Sequence, residues 1–441
     1  MQPARATICA LASGAPPNAI AIIRVSGPYT QSVGNALLTK GVPPDREIRL
    51  DSICDAEGVV IDTGLCLFMA GPQSYTGEDT LELYLHGGRY IIEQTLEALF
   101  QCDVRMAEPG EFTRRAFEAG KFDLTRAEAV ADLIHAETES QHKLARTQLG
   151  GALERLYLSW NQTLTEILAL LEASIDFPDE EDAPDQVDGP VAVRLETFIE
   201  TLKSSLERGS LTERIREGFR VVILGPPNAG KSSLLNRLAD RPAAIVTDIP
   251  GTTRDIVEVR LHIGAYLVWV SDTAGLRQTS DPIEEIGVAR AQEAAASADL
   301  RIWLHDVREP FEFGDQLRAR DLVIANKIDL LESEDVSRET FPLSAATGEG
   351  IERLLSEVEE RLDNLSAQVA APTLTRARHS QGIQHAFGHL RRAQTLLATS
   401  AGAELISEEV RLASRAIASL TGQVETERIL GAVFSTFCIG K

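Results

Sequence analysis

A chain of 441 residues is long enough for about three domains at roughly 150 residues each, which excludes a single small module. Hydrophobic residues make up 44% and charged residues 25%, ordinary globular values that exclude wholesale disorder and a fibrous repeat. With 43 Lys and Arg against 66 Asp and Glu the formal charge is −23, so the mean field repels polyanions and anionic lipid; any nucleic-acid contact must be local or supplied by a partner.

In chain order, the opening MQPARATICALASGAPP has too short an apolar core for a secretory signal, and no later run approaches the roughly 20 apolar residues of a membrane span. Residues 1–118 mix strand patterns (AIAIIRV, GLCLFMA, DTLELYLH) with Gly and Pro punctuation and one helical pattern near IIEQTLEALF, which predicts an α+β domain. From about residue 124, LTRAEAVADLIHAETESQHKLARTQL and ALERLYLSWNQTLTEILALLEASI carry apolar residues at three- and four-residue spacing, the pattern of long amphipathic helices. Residues 119–215 are therefore the first part of an all-α domain, interrupted by the acidic loop DFPDEEDAPDQVDGP. After Gly218, RVVILG opens an alternating strand and helix series that predicts an α/β domain over 216–372, and residues 373–441 return to helix. The expected architecture is multidomain, with an α/β domain inserted into a helical one. Five scattered cysteines, Cys9, Cys54, Cys66, Cys102 and Cys438, are odd in number and lack metal-ligand spacing, which points to a reducing cytoplasm and away from zinc or a disulfide framework.

Within the α/β segment, GPPNAGKS at 225–232 fits G-x-x-x-x-G-K-[ST], follows the apolar run VVIL and precedes the helix-like SLLNRLA. Gly225 and Gly230 let the chain curl so that N–H groups of Asn228, Ala229, Gly230, Lys231, Ser232 and Ser233 face phosphate oxygens. Lys231 brings a point charge to the β- and γ-phosphates, and the Ser232 hydroxyl is a ligand for Mg²⁺. The following AIVTDIPGTTRD holds Thr247, Asp248, Ile249, Pro250, Gly251, Thr252 and Thr253. One of the adjacent threonines is expected to complete the Mg²⁺ shell, and composition does not choose between them. YLVWVSDTAG then delivers Asp272, with Thr273, Ala274 and Gly275, to the metal side of the phosphate.

DLVIANKID supplies Asn326, Lys327 and Asp329, whose carboxylate accepts from the N1 and N2 hydrogens of guanine, a pattern that adenine lacks. In SAATG the backbone of Ser344, Ala345 and Ala346 is placed to donate to guanine O6. Four such patterns, in this order and each at a strand end, resemble the TRAFAC class of GTPases. Ras-type members of that class place a Gln directly after DTAG to orient the attacking water, whereas this chain has Leu276, which cannot. Glu284 in DPIEEIGVAR is a candidate for that task and Glu285 is equally close; their bland reading is solvated carboxylates at a helix start. Arg254 and Arg277 lie in the same segments with nothing in the sequence to bring either to the phosphate.

The whole chain resembles the MnmE (TrmE) family, bacterial and organellar GTPases that modify the wobble uridine of certain tRNAs. The carrying residues are SYTGEDTLEL with HGG, PGEFTRRAFEAGKFDLTRAEAVADLI, IDFPDEE, GPPNAGKSSLLN, AIVTDIPGTTRD, DTAGLR, NKID and FCIGK, in the family order. The resemblance implies an N-terminal tetrahydrofolate-binding and dimerisation domain, with folate contacts at Arg24, Glu82, Lys121 and Lys441. It implies Mg²⁺ on Ser232 and Thr253, and a K⁺ ion on Asn228, Thr247, Ile249 and Thr252 that supplies the charge an arginine finger would otherwise bring. It also implies that Glu284 positions the water, and it places Cys438 near the folate site, either as a catalytic thiol or as a small apolar residue. The implied function is that of a homodimer which, with the FAD-bearing flavoprotein MnmG (GidA) and tRNA, adds an aminomethyl or carboxymethylaminomethyl group to C5 of the wobble uridine. The carbon comes from 5-formyl- or 5,10-methylene-tetrahydrofolate. The rival expectation is a GTP-dependent regulatory or assembly switch without group transfer. Two departures from the family pattern are the few glycines of ASGAPPNAIAIIRVSG and Pro226 in the phosphate loop.

Overall fold

Strand-like alternation in the first hundred residues produces six strands: β1 (Ile8–Leu11), β2 (Asn18–Ser26), β3 (Ile48–Cys54), β4 (Val60–Met69), β5 (Thr80–Gly87) and β6 (Arg105–Met106). They pair in the order β3-β4-β5-β2-β1-β6, antiparallel except for β1 with β6. The period of two sorts the side chains. Cys66, Leu83 and Ile23 lie abreast on the inner face, under α1 (Thr30–Leu37) and α2 (Arg89–Phe100), with Val33, Leu37, Ile92 and Leu99 closing the core. The opposite face carries Leu50, Leu65, Tyr84 and Ile22 in register, and Leu65 is 45% exposed.

The computed structural model describes residues 6–176, 188–241, 244–245, 258–272, 294–309, 317–331, 341–367, 374, 376–399, 401–424 and 427–440. By contacts the chain forms two compact units, Met1–Ala131 with Ala418–Lys441, and Asp132–Ile417. In the first, α3 (Glu111–Glu118) and the start of α4 (Leu124–His135) meet the helix Glu427–Phe434, whose Leu430, Val433 and Phe434 join Phe117, Leu124 and Ala127 in one apolar cluster.

The second unit contains long helices and a seven-stranded sheet. The single periodic run expected from residue 124 is split: α4 ends at His135 and α5 (Glu139–Leu149) begins anew. The break has a local cause. Thr138 accepts from the Gln141 N–H while the Gln141 side chain returns to the Thr138 N–H, a reciprocal cap that starts a helix and so interrupts the pattern. Helices α6 (Ala152–Asp176) and α7 (Asp188–Glu217) follow, and the helix Ala377–Ala398 packs with them through Tyr157, Trp160, Phe198 and His379. No described helix is long and apolar enough to cross a membrane.

The sheet of this unit is built from β7 (Phe219–Leu224), β8 (Ala244–Ile245), β9 (Glu258–Ile263), β10 (Tyr266–Asp272), β11 (Leu300–Asp306), β12 (Leu322–Asn326) and β13 (Phe341–Pro342). Its order is β13-β12-β11-β7-β10-β9-β8, with β9 antiparallel to both its neighbours, β10 and β8, and the other pairings parallel. Val221, Ile223, Val268, Val270, Ile302, Leu304 and Ile324 form near-continuous apolar strands, as a sheet buried on both faces requires. Against them pack α8 (Lys231–Ala239), through Leu234, Leu235 and Leu238, and the helix Ile351–Ser366, through Leu354, Val358 and Leu362. All parallel strands therefore end at one edge, where loops with chemistry collect.

In the first unit, Glu111 accepts from Arg105 at 2.6 and 2.8 Å and from Arg115 at 2.8 Å, and Arg115, 4% exposed, also donates to Glu78 at 2.9 Å. Burial pushes the Glu111 carboxyl up, but Arg105, the Glu108 N–H and Arg115 outweigh it and hold it down at about 2. A carboxylate lowered on folding stabilises above its unfolded titration range, and that contribution is lost as pH falls through the ordinary carboxylate range toward about 2. Glu111→Gln, which takes away one of the two carboxylates on Arg115 and leaves it Glu78, is expected to cost roughly 1–3 kcal/mol and to flatten this acid limb. Hydrogen exchange of α3 against pH checks both.

Candidate functional site

The loop after β7 is shaped by two glycines that no other residue replaces. Gly225 has φ +142°, and a Cβ there would collide with the Leu304 carbonyl of β11; Gly230 has φ +96°, and a Cβ there would strike Asn326 Nδ2. Asn228 also sits left-handed, at φ +63°, a conformation asparagine tolerates. No side chain caps α8, so its first N–H groups face outward at the positive end of the helix, as an anion site needs. Lys231, 7% exposed, folds back to donate to the carbonyls of Gly225 and Pro226, each at 2.8 Å. Burial draws its ammonium below the usual lysine range, with nearby Asp272 opposing.

At the end of β10, Asp272 accepts from the Ser232 hydroxyl at 2.6 Å. Two hard oxygens in contact beside an anion cradle suit Mg²⁺, which takes few protein ligands and keeps phosphate and water oxygens for the rest. The described residues hold no group of three His, Cys, Asp or Glu that could hold a metal ion.

Asn326, at the end of β12 and 1% exposed, joins two loops: its Nδ2 donates to the Ala229 carbonyl at 2.7 Å and its Oδ1 accepts from the Ala345 N–H at 3.0 Å. Lys327 follows with φ +68° and reaches Asp306 at 2.9 Å. Arg308 first, then Lys327, hold the Asp306 carboxyl far below the usual carboxylate range. Asp329 is exposed and accepts from the Ser344 hydroxyl at 2.5 Å. The Ser344 N–H donates to the Glu349 carbonyl and the Ala345 N–H to Asn326. Of the three amides expected to face O6, the Ala346 N–H is thus the one with no acceptor among the described residues.

Asn228 to Ser233, Asp272, Asn326, Lys327, Asp329 and Ser344 to Ala346 thus converge on one sheet edge. Thr247, Asp248, Ile249, Pro250, Gly251, Thr252, Thr253, Arg254, Thr273, Ala274, Gly275, Leu276, Arg277, Glu284 and Glu285 lie outside the described residues. Sequence patterns missed Arg237, which donates to the carbonyls of Ala345 (3.2 Å) and Ala346, because an arginine in a helix carries no motif. Arg308, in the turn after β11, was missed because a lone arginine in a turn carries no motif either.

A second constellation lies in the first unit. Arg24 pairs with Glu82 at 2.8 and 2.9 Å, which β2–β5 register places opposite each other. Its guanidinium sits 5.8 Å from the Tyr75 ring centre and 5.6 Å from that of Phe112, and it donates to the Gly440 carbonyl at 3.4 Å. Tyr84 donates to the other Glu82 oxygen at 2.7 Å. Lys121 donates to the Pro72 carbonyl, at the loop that carries Tyr75. Cys438 is exposed, its carbonyl accepting from Gly110 at 3.4 Å, and Lys441 lies outside the described residues.

The family description "MnmE helical domain" matches residues 124–438, and "GTP-binding protein TrmE N-terminus" matches residues 7–121. The chain is 51% identical over 439 residues to the tRNA modification GTPase MnmE of Hyphomonas neptunium, covering 99% of this chain and all of that protein. It is 47% identical to the protein of that name from Maricaulis maris and 46% identical to that from Granulibacter bethesdensis, each over 99% of both chains. The chain belongs to the MnmE family.

Asn326→Ala leaves the buried Ala229 carbonyl and Ala345 N–H without partners. At roughly 1–3 kcal/mol for each unsatisfied group, the variant is expected to unfold well below the parent in urea, read from Trp269 and Trp303 fluorescence.

Proposed function

We propose that this chain hydrolyses GTP and that, as a homodimer with MnmG, it uses that cycle to modify C5 of the wobble uridine in cytoplasmic tRNA with a tetrahydrofolate one-carbon unit. The observation that carries the reading is the Asn326 bridge, which gathers a phosphate cradle, a Ser–Asp oxygen pair and a guanine-reading carboxylate at one edge.

In the proposed reaction GTP and water give GDP and inorganic phosphate. The backbone from Asn228 to Ser233 grips the β- and γ-phosphates. Lys231 leaves its two loop carbonyls to pair with them. Ser232 and Thr253 would hold Mg²⁺, with Asp272 on its side of the phosphates, and Asn228, Thr247, Ile249 and Thr252 would hold K⁺; these cations would supply charge to offset that developing on the transferred phosphoryl group. Glu284 accepts a hydrogen bond from the attacking water and aligns it, the task Leu276 cannot perform. Asp329 accepts from guanine N1 and N2, and the Ala346 N–H donates to O6.

The proposed division of labour gives residues 1–118 the folate and dimer contacts, 216–372 the nucleotide, and 119–215 with 373–441 the helical frame. Arg24, clamped by Glu82 beneath Tyr75 and Phe112, is the proposed anchor for a flat heteroaromatic pterin, with Lys121, Lys441 and the exposed Cys438 nearby in the scheme. The outward face that carries the exposed Leu50, Leu65 and Ile20 supports a second copy as its cover. At −23 the chain is expected to leave most of the tRNA backbone to MnmG.

Equilibrium binding is expected to favour GTP over ATP, and turnover to be higher in potassium than in sodium. Glu284→Ala is expected to lower kcat by roughly 10²-fold with little change in GTP affinity; an unchanged kcat removes this residue from the mechanism. Equilibrium dialysis against a formyl-tetrahydrofolate should show saturable binding that Arg24→Ala weakens, and no binding at all would leave a GTP switch without group transfer.

A further inference from the structure

We propose that Arg237 is a specificity-determining positioning residue: from the helix that follows the phosphate loop, it aims the Ala346 N–H at the six-position of the base. The inference rests on the guanine-nucleotide reading above and adds to it the group that sets one of its two base contacts.

Arg237 lies on α8, six residues beyond Lys231, and is half-buried. Its Nε donates to the Ala345 carbonyl at 3.2 Å and its terminal nitrogen to the Ala346 carbonyl, a forked grip on two successive peptides. The first of these is the informative one. The Ala345 carbonyl and the Ala346 N–H belong to the same peptide unit, which is planar and trans, so fixing the oxygen fixes the hydrogen pointing the opposite way. A cationic donor on the carbonyl also polarises that peptide and makes its N–H a stronger donor.

The remaining contacts of the turn explain why this peptide needs an external hold. The Ser344 N–H is taken by Glu349, the Ala345 N–H by Asn326 at 3.0 Å, and the Thr347 N–H by the Ser344 hydroxyl at 3.1 Å. Those bonds set the peptides on either side, and the 345–346 peptide is held from outside the turn by Arg237. Gly348, at φ +91°, lets the turn close beside the Arg237 guanidinium. Asp329, which reads the other edge of the base, is held separately by Ser344 and has no contact with Arg237 among the described residues. The two base contacts are therefore separable by substitution.

The test uses the full chain and calorimetric titration with GTP, 6-thio-GTP and inosine triphosphate. Replacing O6 by sulfur weakens the acceptor for the Ala346 N–H while keeping the N1 and N2 hydrogens, whereas inosine keeps O6 and lacks the N2 amine read by Asp329. Arg237→Ala is expected to weaken GTP by roughly 2- to 10-fold, the range of the one neutral hydrogen bond it aims, and to bring the GTP to 6-thio-GTP affinity ratio toward one. The GTP to inosine triphosphate ratio should stay as in the parent, and Arg237→Lys should restore part of the lost preference. If both ratios stay at parental values, or both fall together with a lowered unfolding midpoint, Arg237 is a structural brace and the proposal is overturned. A parent chain that does not prefer GTP to ATP would instead overturn the nucleotide reading itself; a parent that does, with an Arg237→Ala variant unchanged in its 6-thio-GTP ratio, sinks the Arg237 assignment alone.

Discussion

One amide side chain sets the geometry of the nucleotide edge. Asn326 is almost completely buried, donates to the loop before α8 and accepts from the turn after β13, so neither loop takes its shape without the other. Because both partners are backbone groups removed from water, the bridge cannot be loosened without leaving one of them unpaired. Gly230 fits the same constraint: its missing Cβ is the space into which the Asn326 amide reaches.

Around this bridge the electrostatics are arranged in closed pairs. Lys231 rests on carbonyls, Ser232 on Asp272, Lys327 and Arg308 on Asp306, and Asp329 on Ser344. The contrast with the first unit is instructive. There Glu111, Arg105, Arg115 and Glu78 bond to one another, with Arg105 on the solvent side, and Arg24 is pinned by an acid, two rings and a carbonyl while its face remains between aromatic groups.

The parts of the fold and site that were legible in the sequence are those whose physics is local. GPPNAGKS, NKID and SAATG announce themselves because left-handed turns, strand ends and helix starts constrain neighbouring residues. Apolar runs placed β7, β10 and β12 for the same reason. The split of the first long helix was not legible, because the Thr138–Gln141 cap competes with an apolar period that continues through it. Arg237 and Arg308 were not legible either. Their partners stand in other elements or are defined only by tertiary packing, and an exposed-looking arginine in a helix or turn is ordinary in any sequence.

The apolar cluster shared by Phe117, Leu124, Leu430 and Phe434 has a consequence for biosynthesis. Its two halves are separated in the chain by the whole of Asp132–Ile417, which a ribosome adding about 5–20 residues per second needs roughly 15 to 60 s to translate. During that interval the nascent first unit carries Phe117 and Leu124 without their cover. That is a period in which trigger-type holdases have an apolar target, and the unit's final consolidation becomes a post-translational event.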